Sequence, residues 1–415
     1  MPHAGAGAVS RTDNRMNERR VQRSRVAFCI ATFFYLASFF IYVPFLPVYA
    51  RSQVHNLAMV GVIISAYGLP QLLCRIPIGL YYDAVTRRKP IIMLSIAIAV
   101  ISGLGFVVAG SAVTLFVARA MAGVASAGWV AFTMFFTAYY PPEHSARAIG
   151  LINAVNQAAM VVATGSGGVL ADAFGYRAVF IVAAGLAVLG LIVMSFAHEP
   201  SALPAAKKRT PGSFRAVATS PLLIASSIMA VLMMYVTYAS IFGFIPSYGA
   251  GIGASDSQLG AITMLTLAAS AVSAFASVRL AERIGYTTAL SIAAVLMAGS
   301  LLLVPTTTTP VELALVQIVS GLGRGALLAL LMALSIQSAA PAVRATAMGV
   351  FQAMYAIGSL VGPIASGALA DRLGLNAVFQ LSAIVALAIV IVARHRAVRR
   401  AGSGRAVVVP PPVHD

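Results

Sequence analysis

Acidic side chains are scarce in this sequence: eleven Asp and Glu stand among 415 residues, against 28 Lys and Arg. Two cysteines, Cys29 and Cys74, both lie inside hydrophobic runs, which leaves no disulfide framework and no thiolate metal site. Six histidines and the few carboxylates form no metal spacing, no nucleophile elbow and no paired acid and base, and no Walker sequence is present. Catalysis, a bound cofactor and direct use of ATP are therefore not expected. What remains is apolar: 60% of residues are hydrophobic, 9% are charged and the mean hydropathy is +0.91. A soluble domain of this size cannot bury so much, so the composition is that of a polytopic membrane protein.

The net charge of +17 would suggest nucleic acid until the charges are located. Of the 28 basic residues, 22 fall in segments that one topology puts on a single side, while Arg51, Arg177 and Arg372 fall on the other and Arg75, Arg119 and Arg324 fall within spans. Positive residues beside membrane spans resist translocation. Both termini are expected in the cytoplasm, with anionic lipid headgroups and not nucleic acid as the partner of the basic segments. The first apolar run is too long, and lacks a small-residue cleavage site, to be a signal peptide.

Hydropathy predicts twelve spans, near 26–48, 57–81, 90–110, 112–138, 146–170, 176–197, 221–247, 257–280, 286–305, 310–335, 343–369 and 375–393. The expected organisation is a basic cytoplasmic tail (1–25), a six-helix bundle (26–197), a cytoplasmic linker (198–220), a second six-helix bundle (221–393) and a C-terminal tail (394–415). The two bundles read as copies. At an offset of 199, Pro47 pairs with Pro246, Tyr49 with Tyr248, Gly61 with Gly260, Asp83 with Glu282, Gly150 with Gly349 and Gly168 with Gly367. Six of ten positions in 171–180 are identical to those in 370–379. Because each copy contains an even number of spans, the repeats are parallel. The fold class is thus an all-α membrane protein of twelve transmembrane helices arranged as two parallel six-helix repeats.

Between the second and third spans lies a charged island, Gly79-Leu80-Tyr81-Tyr82-Asp83-Ala84-Val85-Thr86-Arg87-Arg88-Lys89-Pro90. It resembles the loop between helices two and three of the major facilitator superfamily of secondary transporters, whose usual form is Gly-x-x-x-Asp-Arg-x-Gly-Arg-Arg/Lys. Gly79, Asp83, Arg87 and Arg88 match; Ala84 and Thr86 depart from it. The resemblance covers roughly 26–393 and is nearest the bacterial proton-linked efflux branch. It implies two bundles that rock about a central site. It also implies a gate at Asp83, with Gly79, Arg87 and Arg88, mirrored by Glu282. Arg119, in Arg-x-x-x-Gly123, is similar to the fourth-helix pattern of the superfamily.

Charges in hydrocarbon cost about 2.5 to 3.5 kcal/mol at a helix centre, so the arginines within spans are functional candidates. Arg119 either faces a cavity or ties helices together. Arg324, in Gly321-Leu322-Gly323-Arg324-Gly325, is read as a ligand contact, with the glycines leaving room for its head group or for another backbone. Arg75 is expected to snorkel toward the interface. Asn153, Asn156 and Gln157 form a polar stripe that maps in the repeat onto Gln352 and Tyr355, and Tyr35 and Tyr238 supply amphipathic contacts. The fifth span lacks the Gly-Pro of many proton antiporters, which weakens drug export; Gly362-Pro363 occurs in the eleventh instead. The leading expectation is a monomeric carrier in the inner membrane that exports a drug-like or anionic metabolite in exchange for protons. The alternative is an uptake symporter or uniporter for a small organic anion such as a carboxylate or siderophore, and a third is a transporter-like sensor.

Overall fold

The computed structural model describes residues 6–54, 56–200, 218–339 and 343–401, and every regular element in them is helical. The first span belongs to a helix that begins at Ala6 and runs to Phe40, so residues 6–25 of the basic tail continue it without a break. Most of the expected linker, at 201–217, lies outside the described residues, as do 402–415.

Several spans that hydropathy merges are broken, and prolines explain most of the breaks. A proline ring clashes with the carbonyl four residues back and leaves it without a donor. The second span is split into Leu57–Ser65 and Gly68–Ala84, with the break four residues before Pro70. The seventh runs as Pro221–Ala239, a π-helical turn Ser240–Phe244 and Ile245–Gly251, with Pro246 just after the turn. The first is interrupted after Phe40 and resumes at Leu46–Gln53 around Pro47, the repeat partner of Pro246. Glycine breaks the fourth, between Ala112–Ala127 and Trp129–Thr137: a Cβ on Gly128 would lie 2.2 Å from the Ser95 hydroxyl of the third span, Lys89–Val108.

The fifth and sixth spans form a single helical run, Ser145–Phe196, of 52 residues. At 1.5 Å per residue that is about 78 Å, far beyond a bilayer core of about 30 Å. Gly175, with φ 77° and ψ 167°, turns the chain back. Its repeat partner Gly374, with φ 81° and ψ 171°, does the same between the eleventh span, Arg344–Leu373, and the twelfth, Leu375–Ala393. Only glycine adopts such angles cheaply. With the eighth (Asp256–Ile284), ninth (Tyr286–Leu303) and tenth (Pro310–Gln337), twelve spans result.

The bundles are filled differently. The first half centres on stacked rings: Phe28 with Phe135 and Phe136, and Tyr35 with Phe132. The second half packs methionine and leucine, including Met229, Met233, Met297 and Leu330.

Candidate functional site at the junction of the two halves

An even number of spans puts both described termini at one end of the bundle; the opposite end is called the far face here. There the halves meet by a reciprocal exchange. Asp371, ending the eleventh span, accepts hydrogen bonds from the backbone N–H groups of Leu57 and Ala58 at 2.6 and 3.1 Å. Asp172, ending the fifth, accepts from those of Asp256 and Ser257 at 3.0 and 2.9 Å. Residues 57 and 256, 58 and 257, and 172 and 371 are all partners at the offset of 199. The first N–H groups of a helix have no partner within it and carry the positive end of its dipole, so a carboxylate satisfies both. The N-caps follow the same symmetry: Asn56 accepts from the Met59 N–H and Ser255 from that of Gln258.

Below these carboxylates the helices touch backbone to backbone. A Cβ on Gly61 would lie 2.2 Å from the Pro363 carbonyl oxygen, and one on Gly367 would lie 2.6 Å from that of Leu57. The matching values are 2.8 Å from Gly260 to the Thr164 oxygen and 2.3 Å from Gly168 to the Asp256 oxygen. In the Gly165 to Gly168 run, which lacks the proline, Gly165 and Gly168 thus pack against Met264 and Asp256 of the other half, while Gly167 packs against Ile41 of its own.

Deeper in, the symmetry ends. The Arg119 guanidinium carbon lies 4.4 Å from the centre of the Tyr67 ring and 5.8 Å from that of Tyr42. Arg119 is 3% exposed, and its Nε and Nη1 have no hydrogen-bond partner. Tyr67, which donates to the Ser126 hydroxyl at 2.7 Å, faces Tyr238 of the other half at 6.4 Å between ring centres with 22° between planes. Tyr238 meets Phe242 edge-on at 5.3 Å, and the Arg324 guanidinium carbon stands 5.8 Å from the Phe242 ring. Arg324, 5% exposed, donates to the Ser270 hydroxyl at 3.1 Å, and its Nε is unpaired. No carboxylate pairs with either arginine among the described residues.

The glycines around Arg324 admit neighbouring backbones: Cβ atoms on Gly321, Gly323 and Gly325 would lie 2.2, 2.5 and 1.9 Å from the carbonyl oxygens of Thr266, Ala293 and Ser270. Arg75 does not snorkel. It is 6% exposed and donates to the Gln71 amide oxygen at 3.0 Å and the Tyr355 hydroxyl at 3.2 Å, with the Gln352 carbonyl at 3.5 Å, joining the second span to the eleventh. Burial by the eleventh span removes its route to the interface and supplies acceptors instead.

Of the other expected site residues, Tyr238 lies in the central cluster, and Gln352 and Tyr355 lie beside Arg75. Tyr35 does not: it is fully buried within the first half, stacked on Phe132 and donating to the Ala125 carbonyl at 2.5 Å. Asn153, Asn156 and Gln157 are half-buried, and the Asn156 Oδ1 has no partner. Tyr42 of the first span, like Tyr35 a candidate for amphipathic contacts by sequence, does reach the cluster. Residues not foreseen from sequence are Tyr67 and Phe242, and also Gln317 and Ser320, which share the Arg324 face of the tenth span with their side chains unpaired. The spacing of Gln317, Ser320 and Arg324 by three and four residues was a legible signal.

At the terminal face, the backbone N–H of Arg88 donates to Glu199 and the Lys89 Nζ donates to the Ser195 carbonyl at 2.7 Å. The Tyr139 hydroxyl donates to the His198 carbonyl, and burial raises that hydroxyl above its ordinary pKa. The charged island is thereby fastened to the start of the linker. The backbone of Asp83 ends the second helix, but its side chain lies outside the described residues. Gly79 has nothing within 4 Å of an added Cβ. Arg87 and Glu282 are exposed.

Two parallel six-helix repeats, packed reciprocally at one face around a buried polar junction, define the class of two-bundle membrane carriers. The sequence matches the family model of the Major Facilitator Superfamily over residues 28–252 and 228–409, and the chain belongs to that family. It is similar to "Multidrug resistance protein MdtG" of Escherichia coli (strain SMS-3-5 / SECEC), 28% identical over 256 residues, or 60% of this chain and 62% of that protein. The chain thus spans less than two thirds of the length of the curated relatives it matches. Among solved structures it resembles a bacterial homologue of the human lysosomal transporter Spinster, at 19% identity and a TM-score of 0.71 over 90% of this chain and 95% of that one. It also resembles the human organic anion transporter MFSD10, at 16% identity and a TM-score of 0.67 over 90% and 99%. At these identities the likeness is one of fold.

Proposed function

We propose that this protein is a secondary transporter that carries a small organic solute across the inner membrane by alternating access, with both termini in the cytoplasm and proton-linked export as its direction and drive. The observation that carries the reading is the arrangement of the junction: the halves hold each other closed at the far face, while buried, incompletely paired Arg119 and Arg324 lie between them. A carrier needs such a site, reached from alternate sides as one bundle rocks on the other. The sided distribution of Lys and Arg supports cytoplasmic termini. Export is supported by the multidrug resistance relatives.

Asp83, with Gly79, Arg87 and Arg88, is proposed as the gate of the terminal face, and Glu282 as its counterpart in the other half. The test is accumulation of labelled organic anions and dye-like cations in cells lacking their own exporters, with the wild type beside Asp83→Asn. Lowered accumulation that an uncoupler abolishes supports proton-driven export; raised accumulation overturns it. A second reading, uptake or uniport of an organic anion, is favoured by one observation. The carboxylates nearest the bilayer, Asp172, Asp256, Glu312 and Asp371, all stand at helix ends, so no acid deep within a described span is available to carry a proton. A carrier of either direction uses the same junction.

A further inference from the structure

The central junction carries more positive charge than its surroundings answer. Removing a guanidinium from water costs several kcal/mol, which an ion pair with good hydrogen bonds repays. A cation over an aromatic face recovers part of that cost, without neutralising the charge. Arg119 has two ring faces, two unpaired nitrogens and no acid; Arg324 has one ring, one hydroxyl and no acid. Arg75 also lacks an acid and a partner for its Nε, but an amide, a phenol and a carbonyl receive protons from its two terminal nitrogens. The shortage of acceptors is greatest at Arg119 and Arg324.

Between those two arginines runs an unbroken series of rings, Tyr67, Tyr238 and Phe242, and it crosses from one half to the other at Tyr67 and Tyr238. At 6.4 Å and 22° that crossing is near the loose end of the range for stacked rings. It is the weakest link in the series, and the one that must part when the halves rock. Unpaired cations beside separable parallel rings match a ligand with a flat apolar body and an acid group.

We propose that this junction binds a planar aromatic carboxylate, whose acid group pairs with Arg119 and whose ring replaces the contact between Tyr67 and Tyr238. This rests on the transporter reading above and names its substrate class. Arg324, at the other end of the series, receives a second acidic or hydroxyl group where the ligand has one. A guanidinium offers two parallel N–H groups to a carboxylate along either of two edges, and each edge of Arg119 includes one unpartnered nitrogen, Nε on one and Nη1 on the other.

The test uses the full-length protein in lipid nanodiscs, with 2-naphthoate as the probe and calorimetry as the readout. Comparison ligands are 2-naphthamide, which keeps the ring without the charge, cyclohexanecarboxylate, which keeps the charge without the ring, and a naphthylmethylammonium cation. The expected result is binding of 2-naphthoate at least tenfold tighter than each. Arg119→Gln lowers naphthoate affinity tenfold or more, with Arg119→Lys in between, and a melting curve taken alongside shows that both variants fold. Tyr238→Leu weakens naphthoate and leaves cyclohexanecarboxylate unchanged. Equal binding of naphthoate and naphthamide, or undiminished binding by a folded Arg119→Gln, overturns the proposal. Counterflow in proteoliposomes separates it from the transporter reading. Naphthoate bound but never moved would sink transport and leave the site; a dye cation moved by a protein that does not bind naphthoate would sink the site and leave transport.

Discussion

The far face and the centre of the junction lie within the same helices yet follow different rules. At the far face each carboxylate-to-backbone and glycine-to-backbone contact has a counterpart at an offset of 199: Asp172 with Asp371, Gly168 with Gly367, Gly61 with Gly260; the bond from the Tyr176 hydroxyl to Asp256 at 3.2 Å is the exception. In the centre no contact has one, since Arg119, Arg324 and Tyr67 map onto Ile318, Ala125 and Thr266. A rocking motion between equivalent bundles needs matched contacts on both sides of the axis, whereas a ligand has no reason to share that axis. The duplicated parts therefore read as the apparatus of movement and the unmatched parts as the apparatus of recognition.

The largest effects should come from breaking the symmetry at its tightest point. In Gly61→Leu or Gly260→Leu the new side chain starts 2.2 or 2.8 Å from a backbone oxygen of the other half. Overpacking of even a few atoms costs about 1 to 3 kcal/mol, and a whole side chain between two backbones costs more. Both variants should abolish transport, and to the same degree, while Gly79→Leu, with open space around it, should not through packing. The check is transport by protein reconstituted at equal levels. Unequal losses in the two glycine variants would mean that the two sides of the far face do not act as equals.

Much of this was legible in the sequence, and the reasons differ by region. The twelve spans and the two repeats follow from hydropathy and punctuation, because a bilayer imposes helix length and glycine turns such as Gly175 and Gly374 recur at one offset. The same offset named Asp172 and Asp371 as partners in the repeat, yet not as ligands of opposite helices, since only the packed bundles bring 371 next to 57. Arginines stood out because they are costly in hydrocarbon. Their surroundings did not: Tyr67 and Phe242 are ordinary aromatics among 20 Phe and 14 Tyr, and Tyr35, equally suitable by type, turned into the core of its own half. The glycines beside Arg324 marked a close approach, and a neighbouring backbone, not an open space, is what approaches.

A smaller effect should follow from weakening the far face without crowding it. Asp172→Asn and Asp371→Asn each remove a charge from a helix N-terminus while keeping an oxygen to accept one N–H. Such contacts contribute about 0.3 to 1 kcal/mol where solvent screens them, and both carboxylates are exposed. Each single variant should shift the balance toward a far-open state up to about fivefold, and the double variant by about the product, since the sites lie on separate helix pairs. The reporter is Thr164→Cys, at a fully buried position on the far-face junction, in a background with Cys29→Ala and Cys74→Ala. Its alkylation by a membrane-impermeant maleimide should quicken in proportion. An effect from one aspartate only would confine the symmetric exchange to one side.

The smallest effect, and the one that joins the two regions, concerns Tyr355. Its hydroxyl accepts from Arg75 at 3.2 Å and lies across the same helix pair as Asp371 and Leu57, but on the terminal side of them. Tyr355→Phe keeps the ring, 5.6 Å from the guanidinium carbon, and removes one acceptor of three, leaving the Gln71 amide and the Gln352 carbonyl. A net hydrogen bond contributes about 0.5 to 1.5 kcal/mol, and a water can take over part of it, so the Thr164→Cys reporter should quicken only about twofold. If Arg75 serves the movement, ligand affinity should stay as it was while this rate changes. If affinity falls and the rate does not, Arg75 belongs with Arg119 and Arg324, and the boundary between moving and recognising parts lies nearer the terminal face than the pairing of residues indicates.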